Sequence, residues 1–169
     1  MIVSNETIVK ELFHVKRSRP PDFDLESFLP YRLSVTTNRV SRAFAAHYEQ
    51  EFGISIPEWR AIAVLGAFAP LSSNEICERT AMDKAKVSRA VATLLKRGLI
   101  AREAHETDQR LIQLTLSKAG RKVYEAIIPR ARAIEAEVTK GLSRADVAAL
   151  HRILDRIAVQ LDDIEGISS

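Results

Sequence analysis

A mostly α-helical fold bearing one small β-hairpin is what this 169-residue sequence predicts. Three observations predict it. Apolar residues recur at steps of three and four within 25–52 and 147–164, the spacing of one helix face. Capping-type residues (Ser72, Asp83, Ser117, Ser143) stand ahead of further helical runs. Two short segments, LIAREA at 99–104 and LIQLTL at 111–116, read as strands joined by a short loop.

Taken in order, residues 4–16 are expected to form a short amphipathic helix, capped by Ser4 or Asn5, with Ile8, Val9, Leu12 and Phe13 on one face. Pro20 and Pro21 mark a linker. A long helix runs from Leu25 to Phe52, its apolar face carrying Leu29, Leu33, Val40, Phe44 and Tyr48, and Gly53 ends it. Pro57 suits the first turn of the next helix, whose Trp59, Ile62, Ala63 and Leu65 are apolar. Ser72 and Glu75 have capping-box spacing and open a short helix. After a turn at 80–82, Asp83 caps a helix from Lys84 to Arg97 that Gly98 terminates. In the second strand Ile112, Leu114 and Leu116 alternate with Leu111, Gln113 and Thr115, which predicts one apolar face. Ser117 opens a helix to about Lys140, with a kink or slight break expected at Pro129. Gly141 ends it, and Ser143 with Asp146 begins the last helix. There Val147, Leu150, Leu154, Ile157, Leu161 and Ile164 follow at steps of 3, 4, 3, 4 and 3. That 3.5-residue period predicts a coiled-coil-like seam. Packing within the chain could cover it, but the terminal helices lack a partner sheet, which favours a second subunit.

Composition removes several function classes. No run of ~20 apolar residues could span a membrane. The opening MIVSNETIVKELF has neither a basic n-region nor a continuous apolar h-region, so the expected location is the cytoplasm. Asn5-Glu6-Thr7 then carries no glycan. Cys77 is the single cysteine, which rules out an intrachain disulfide or a thiolate zinc cluster. Its neighbours Ile76 and Ala81 predict a buried structural thiol rather than a redox sensor. His14, His47, His105 and His151 are scattered and suggest no metal. No hydrolytic triad or Gly-rich phosphate loop is present, so neither an enzyme nor a cofactor is expected.

Charge is more informative. Residues 79–122 hold eleven Lys/Arg against four Asp/Glu, a net +7 in a chain of net +3, so the remainder sums to −4. A basic middle between acidic flanks suits a polyanion-binding module. The order helix, short helix, turn, basic helix, strand, loop, strand is that of a winged helix-turn-helix. On a helical plot of 84–97, Val87, Ala90, Val91, Leu94 and Leu95 share one side. Ala85, Lys86, Arg89, Ala92, Thr93 and Lys96 share the other. Small residues let the backbone approach a groove, cations meet phosphates, and Arg89 can donate twice to guanine O6 and N7. Lys84 and Ser88 sit near the helix start, where side chains and amides reach phosphates. Any surface helix shows a charged face, but this one has no acid after Asp83, whereas a solvated helix usually alternates sign. In the loop, Asp108 stands two residues before Arg110. An arginine at a hairpin tip can enter the narrow minor groove, and a neighbouring carboxylate can pre-order it. A sign-mixed, solubilising turn is the alternative reading of the same triplet.

The segments IPEWRAIAVL, LSSNEICERTAMDKAKVSRAVATLLKRGLIAR, DQR and LIQLTLSKAGR together resemble the MarR family of bacterial transcriptional regulators. The resemblance spans roughly residues 28–163. It implies that Lys84, Lys86, Ser88, Arg89, Thr93 and Lys96 read double-stranded DNA at a pseudo-palindromic operator, with Asp108 aiming Arg110 into the minor groove. His105-Glu106 and Gln109 depart from the family's usual wing residues. The implied organisation is an N-terminal arm (1–24), a dimerisation helix and connection (25–56), a winged DNA-binding lobe (57–116) and C-terminal dimerisation helices (117–169). The implied function is a homodimeric repressor released by a small aromatic or anionic effector, such as an aromatic acid or its CoA thioester. Arg39, Arg42, His47, Tyr48, Trp59 and Arg60 are the candidates for holding it, and Arg32 adds a third guanidinium on the same helix. The competing reading is a winged-helix protein-interaction module, which would need neither the acid-free face nor the ordered wing arginine.

Overall fold

The computed structural model describes residues 23–104 and 112–167. Among the described residues, six helices and one antiparallel strand pair follow in the order α1 (Leu29–Phe52), α2 (Ile56–Phe68), α3 (Ser73–Thr80), α4 (Lys84–Lys96), β1 (Ile100–Ala104), β2 (Ile112–Leu116), α5 (Lys118–Val138) and α6 (Arg144–Ile167). This is a winged helix-turn-helix fold. The chain divides into two compact units, Met1–Arg39 and Val40–Ser169, the boundary falling within α1. The arm helix expected over 4–16 lies outside the described residues.

In the first unit the long helix starts at Leu29, four residues later than the apolar pattern suggests. The Asp24 carboxylate accepts from the Glu26 amide and the Ser27 hydroxyl donates to the Asp24 carbonyl, so 24–27 closes a turn instead. Pro30, which has no amide hydrogen, then occupies the first turn of α1. Phe23 and Phe28 pack against each other at 5.1 Å, and both remain exposed.

In the second unit the core gathers around Ile54, Ile62, Leu65, Ile76, Leu94 and Leu114. Within this unit α1 joins it through Phe44, Ala45, Tyr48 and Phe52. Trp59 stacks between Tyr48 and Tyr124, with ring centroids 5.7 and 6.3 Å away. Cys77 is half-buried against this core rather than fully enclosed, because its helix has only eight residues and one closed face.

Capping follows the sequence closely. The Glu75 amide donates to the Ser72 hydroxyl at 3.2 Å, while the Ser72 amide donates to the Glu75 carboxylate at 2.7 Å. Ser143 and Asp146 repeat the arrangement ahead of α6. α3 ends in a way the sequence does not announce: Ala81 is left-handed (φ 50°). Burial of Met82, whose amide donates to the Cys77 carbonyl, accompanies that conformation.

The strands pair from Ile100↔Leu116 to Ala104↔Ile112. Leu71 adds a short bridge, exchanging both backbone hydrogen bonds with Leu114. The apolar face predicted for β2 is only partly realised. Leu114 is buried and Leu116 half-buried, but Ile112 is 53 % exposed, since it lies at the far end of the hairpin. α5 continues through Pro129 to Val138 without the interruption anticipated there. A single missing amide leaves the other bonds of a long helix in place.

Candidate nucleic-acid interface

The basic helix α4 divides as its sequence requires. Val87, Ala90, Val91 and Leu94 are buried. Lys84, Ala85, Lys86, Ser88, Arg89, Ala92, Thr93 and Lys96 are all exposed. Burying one side against α2 and α3 therefore turns every predicted contact residue of α4 outward. The helix starts on Asp83, whose carboxylate accepts the Lys86 amide at 2.8 Å. The same carboxylate meets Lys86 Nζ at 2.9 Å, an ion pair open to solvent. These bonds to Lys86 hold the Asp83 carboxyl below its ordinary value of 3.8. The Thr93 hydroxyl donates to the Arg89 carbonyl at 3.0 Å, leaving its methyl and lone pairs outward. Among the described residues, the side chains of Lys84, Arg89 and Lys96 have no hydrogen-bond or ion-pair partner.

A cleft of about 220 Å³ runs between this face and the first turn of α2, lined by Ser55, Pro57, Glu58, Lys86, Arg89, Ala90 and Thr93. Its floor includes Glu58, buried to 8 % exposure, whose carboxylate accepts the Ser55 amide at 2.8 Å. Asp108 and Arg110 lie outside the described residues, as do His105, Glu106 and Gln109.

The candidate effector residues do not all gather. Tyr48 is buried and Trp59 half-buried in the aromatic stack. Burial, reinforced by Glu49 and opposed by Arg60, pushes the Tyr48 phenol up to about 12. Arg60 Nη2 donates to the Ser41 hydroxyl at 3.2 Å, so this guanidinium turns to α1. Arg42 is exposed, Arg39 is exposed in the first unit, and the His47 side chain lies outside what is described. Among the described residues no group of three or more His, Cys, Asp or Glu could hold a metal ion. Nor, among them, is any helix long and apolar enough to cross a membrane.

Arg97 is a residue the sequence reading passed over. It follows the last residue of α4, and its Nη1 and Nη2 donate to the carbonyls of Gly53 (2.8 Å) and Phe52 (2.6 Å). Backbone acceptors forty-four and forty-five residues away leave no pattern in a sequence, so no motif could have marked it.

The winged lobe has clear relatives. The MarR family profile matches residues 52–111. A MarR/EmrR-family transcriptional regulator from Acinetobacter sp. ADP1 superimposes with a TM-score of 0.77 at 26% identity, covering 83% of this chain and 99% of that one. A probable transcriptional regulator from Pseudomonas aeruginosa is 30% identical with a TM-score of 0.64, covering 79% and 99%. Among curated sequences, the HTH-type transcriptional regulator BilQ of Clostridium symbiosum is 27% identical over 108 residues, 64% of this chain and 75% of its own length.

Proposed function

For a chain that belongs to the MarR family of winged helix-turn-helix transcriptional regulators, and so is a DNA-binding regulator rather than an enzyme, we propose the role of a homodimeric repressor that a small effector releases. The observation that carries the reading is the outward, acid-free face of α4. In this reading α4 enters the major groove. Arg89 donates in pairs to guanine, and Lys84, Ser88 and Lys96 neutralise or bond phosphates. Lys86 exchanges Asp83 for phosphate, and the Thr93 methyl offers an apolar contact to a base. A phosphate following the cleft beside α2 meets Lys86. Asp108 and Arg110 are proposed for the minor groove.

The dimer is inferred from α6. In the single chain Leu150, Leu154, Leu161 and Ile164 of its 3.5-residue seam are 41–61 % exposed, more apolar surface than a stable monomer usually leaves open. A second copy covering the seam places two α4 helices at half-sites about 34 Å apart. An effector that favours a different spacing then lowers operator affinity. Its proposed seat is the Tyr48–Trp59–Arg60 cluster with Arg42 nearby on α1, which offers aromatic faces, a guanidinium and a phenol that stays protonated at physiological pH. An aromatic carboxylate, free or as its CoA thioester, fits that chemistry.

Fluorescence anisotropy with DNA from the protein's own upstream region tests the central claim. Affinity should fall linearly on a log–log plot against salt; Lys96→Ala should lower the slope by about one, and Arg89→Ala should weaken binding about tenfold or more and relax sequence preference. Absent binding or a flat salt response would sink the reading. A thermal-shift screen with aromatic acids and their thioesters, repeated on Arg60→Ala, tests the effector site.

A further inference from the structure

We propose that Arg97 is a positioning residue for DNA reading: it ties the C-terminal end of α4 to the end of α1 and so fixes the angle at which α4 presents Lys84, Lys86 and Arg89. The inference rests on α4 being the reading helix. Phe52 is the last residue of α1, so its carbonyl and that of Gly53 are acceptors that no further helical turn can satisfy. They also stand at the negative end of the α1 dipole, where a cation is favoured. Arg97 supplies both, with one nitrogen on each carbonyl, and Glu58 lies 3.9 Å from the same guanidinium.

The α1 end is held from its other side too. Arg130 of α5 pairs with Glu51 at 2.6 Å and lies 5.7 Å from the Phe52 ring centroid. Two arginines, one just past α4 and one on α5, thus hold three consecutive residues where α1 ends, Glu51, Phe52 and Gly53. With both nitrogens engaged, the Arg97 guanidinium is committed to backbone carbonyls, although the residue is exposed, whereas the Arg89 side chain has no partner among the described residues.

The mechanical consequence follows from the length of α4. Thirteen residues span about 20 Å, so a pivot of about 5° at Arg97 moves Lys84 by about 1.7 Å and Arg89, about 12 Å from the pivot, by about 1 Å. A hydrogen bond tolerates a few tenths of an ångström, so such a pivot breaks paired contacts to a base edge. Unspecific attraction to phosphates is far less sensitive to that angle.

The test uses the full chain and two duplexes, one selected from random-sequence DNA by the wild-type protein and one scrambled from it. Arg97→Ala should weaken the selected duplex about tenfold, the scale of a lost charged hydrogen bond. It should change the scrambled duplex less than about twofold and leave the salt slope unaltered. Arg97→Lys keeps the charge but reaches one carbonyl, and should fall between; it also carries the test if the alanine variant does not fold. If both duplexes weaken equally and the slope drops by about one, Arg97 is a phosphate contact and the proposal is wrong. Undiminished affinity for the selected duplex overturns it equally. The underlying reading fails separately, if no duplex can be selected or if Arg89→Ala leaves selected binding unchanged.

Discussion

Gly120 is the position where one added methyl group should do most damage. It lies in the first turn of α5, buried, with its amide donating to the Ser117 hydroxyl at 3.0 Å. A Cβ there would overlap the Leu99 carbonyl oxygen and approach the Leu99 carbonyl carbon at 2.9 Å. The obstacle is backbone, so no rotamer relieves it, and α5 must move away from the strand. Overpacking of this kind costs about 1–3 kcal/mol. Moving α5 also stretches the bond from the Ser117 amide to the Leu99 carbonyl (3.1 Å), worth about 1 kcal/mol. Against this, alanine favours the helix by up to about 1 kcal/mol. The net loss for Gly120→Ala is about 2 kcal/mol, a fall in Tm of about 4–8 °C for a chain of this size. Gly166→Ala, where nothing lies within 4 Å, should be neutral or slightly stabilising and serves as the control. Differential scanning calorimetry on both variants decides. A Gly120→Ala Tm equal to or above the wild type would refute the packing described for the start of α5.

Three further outcomes are expected. Ser72→Ala removes one half of a capping box and should cost about 1 kcal/mol in urea unfolding, with the slope m unchanged. Asp83 is held below 3.8 by Lys86, so its contribution is present above that value and is lost as pH falls through the lowered one; Asp83→Asn should therefore flatten part of the acid limb of a stability–pH curve while leaving Arg89 exposed. Leu154→Asp places a charge in the α6 seam and should shift sedimentation equilibrium from dimer to monomer; an unchanged mass would argue that the seam is not the interface.

The sequence made some of this legible because periodicity and capping are local. Ser72, Asp83, Ser117 and Ser143 each mark a helix start correctly, since a cap is defined by a side chain within three residues of its amide. The two faces of α4 were equally readable from a 3.6-residue period. What escaped depends on partners distant in sequence or on competing local bonds. Asp24 took residues that the apolar pattern had assigned to α1. Ala81 adopts a conformation usually given to glycine because burial of Met82 holds it there. Ile112 alternates correctly yet stays exposed, because alternation says which face a residue takes but not how far the core extends. Arg97 looked like one more cation in a basic stretch until its two carbonyl acceptors were located.

The base of the hairpin has a consequence for how such a protein can diverge. β1 begins and β2 ends within one knot, where the Ser117 amide and hydroxyl donate to the carbonyls of Leu99 and Gly98 and Leu71 brackets Leu114 from the side. None of those bonds involves residues 105–111. Change in that stretch leaves the closure of the hairpin intact, so what the wing touches can drift while the lobe that carries it keeps its stability. Substitutions within 105–111 are therefore free of the bonds that close the hairpin, whereas substitutions in α4 are not free of the core that its other face builds.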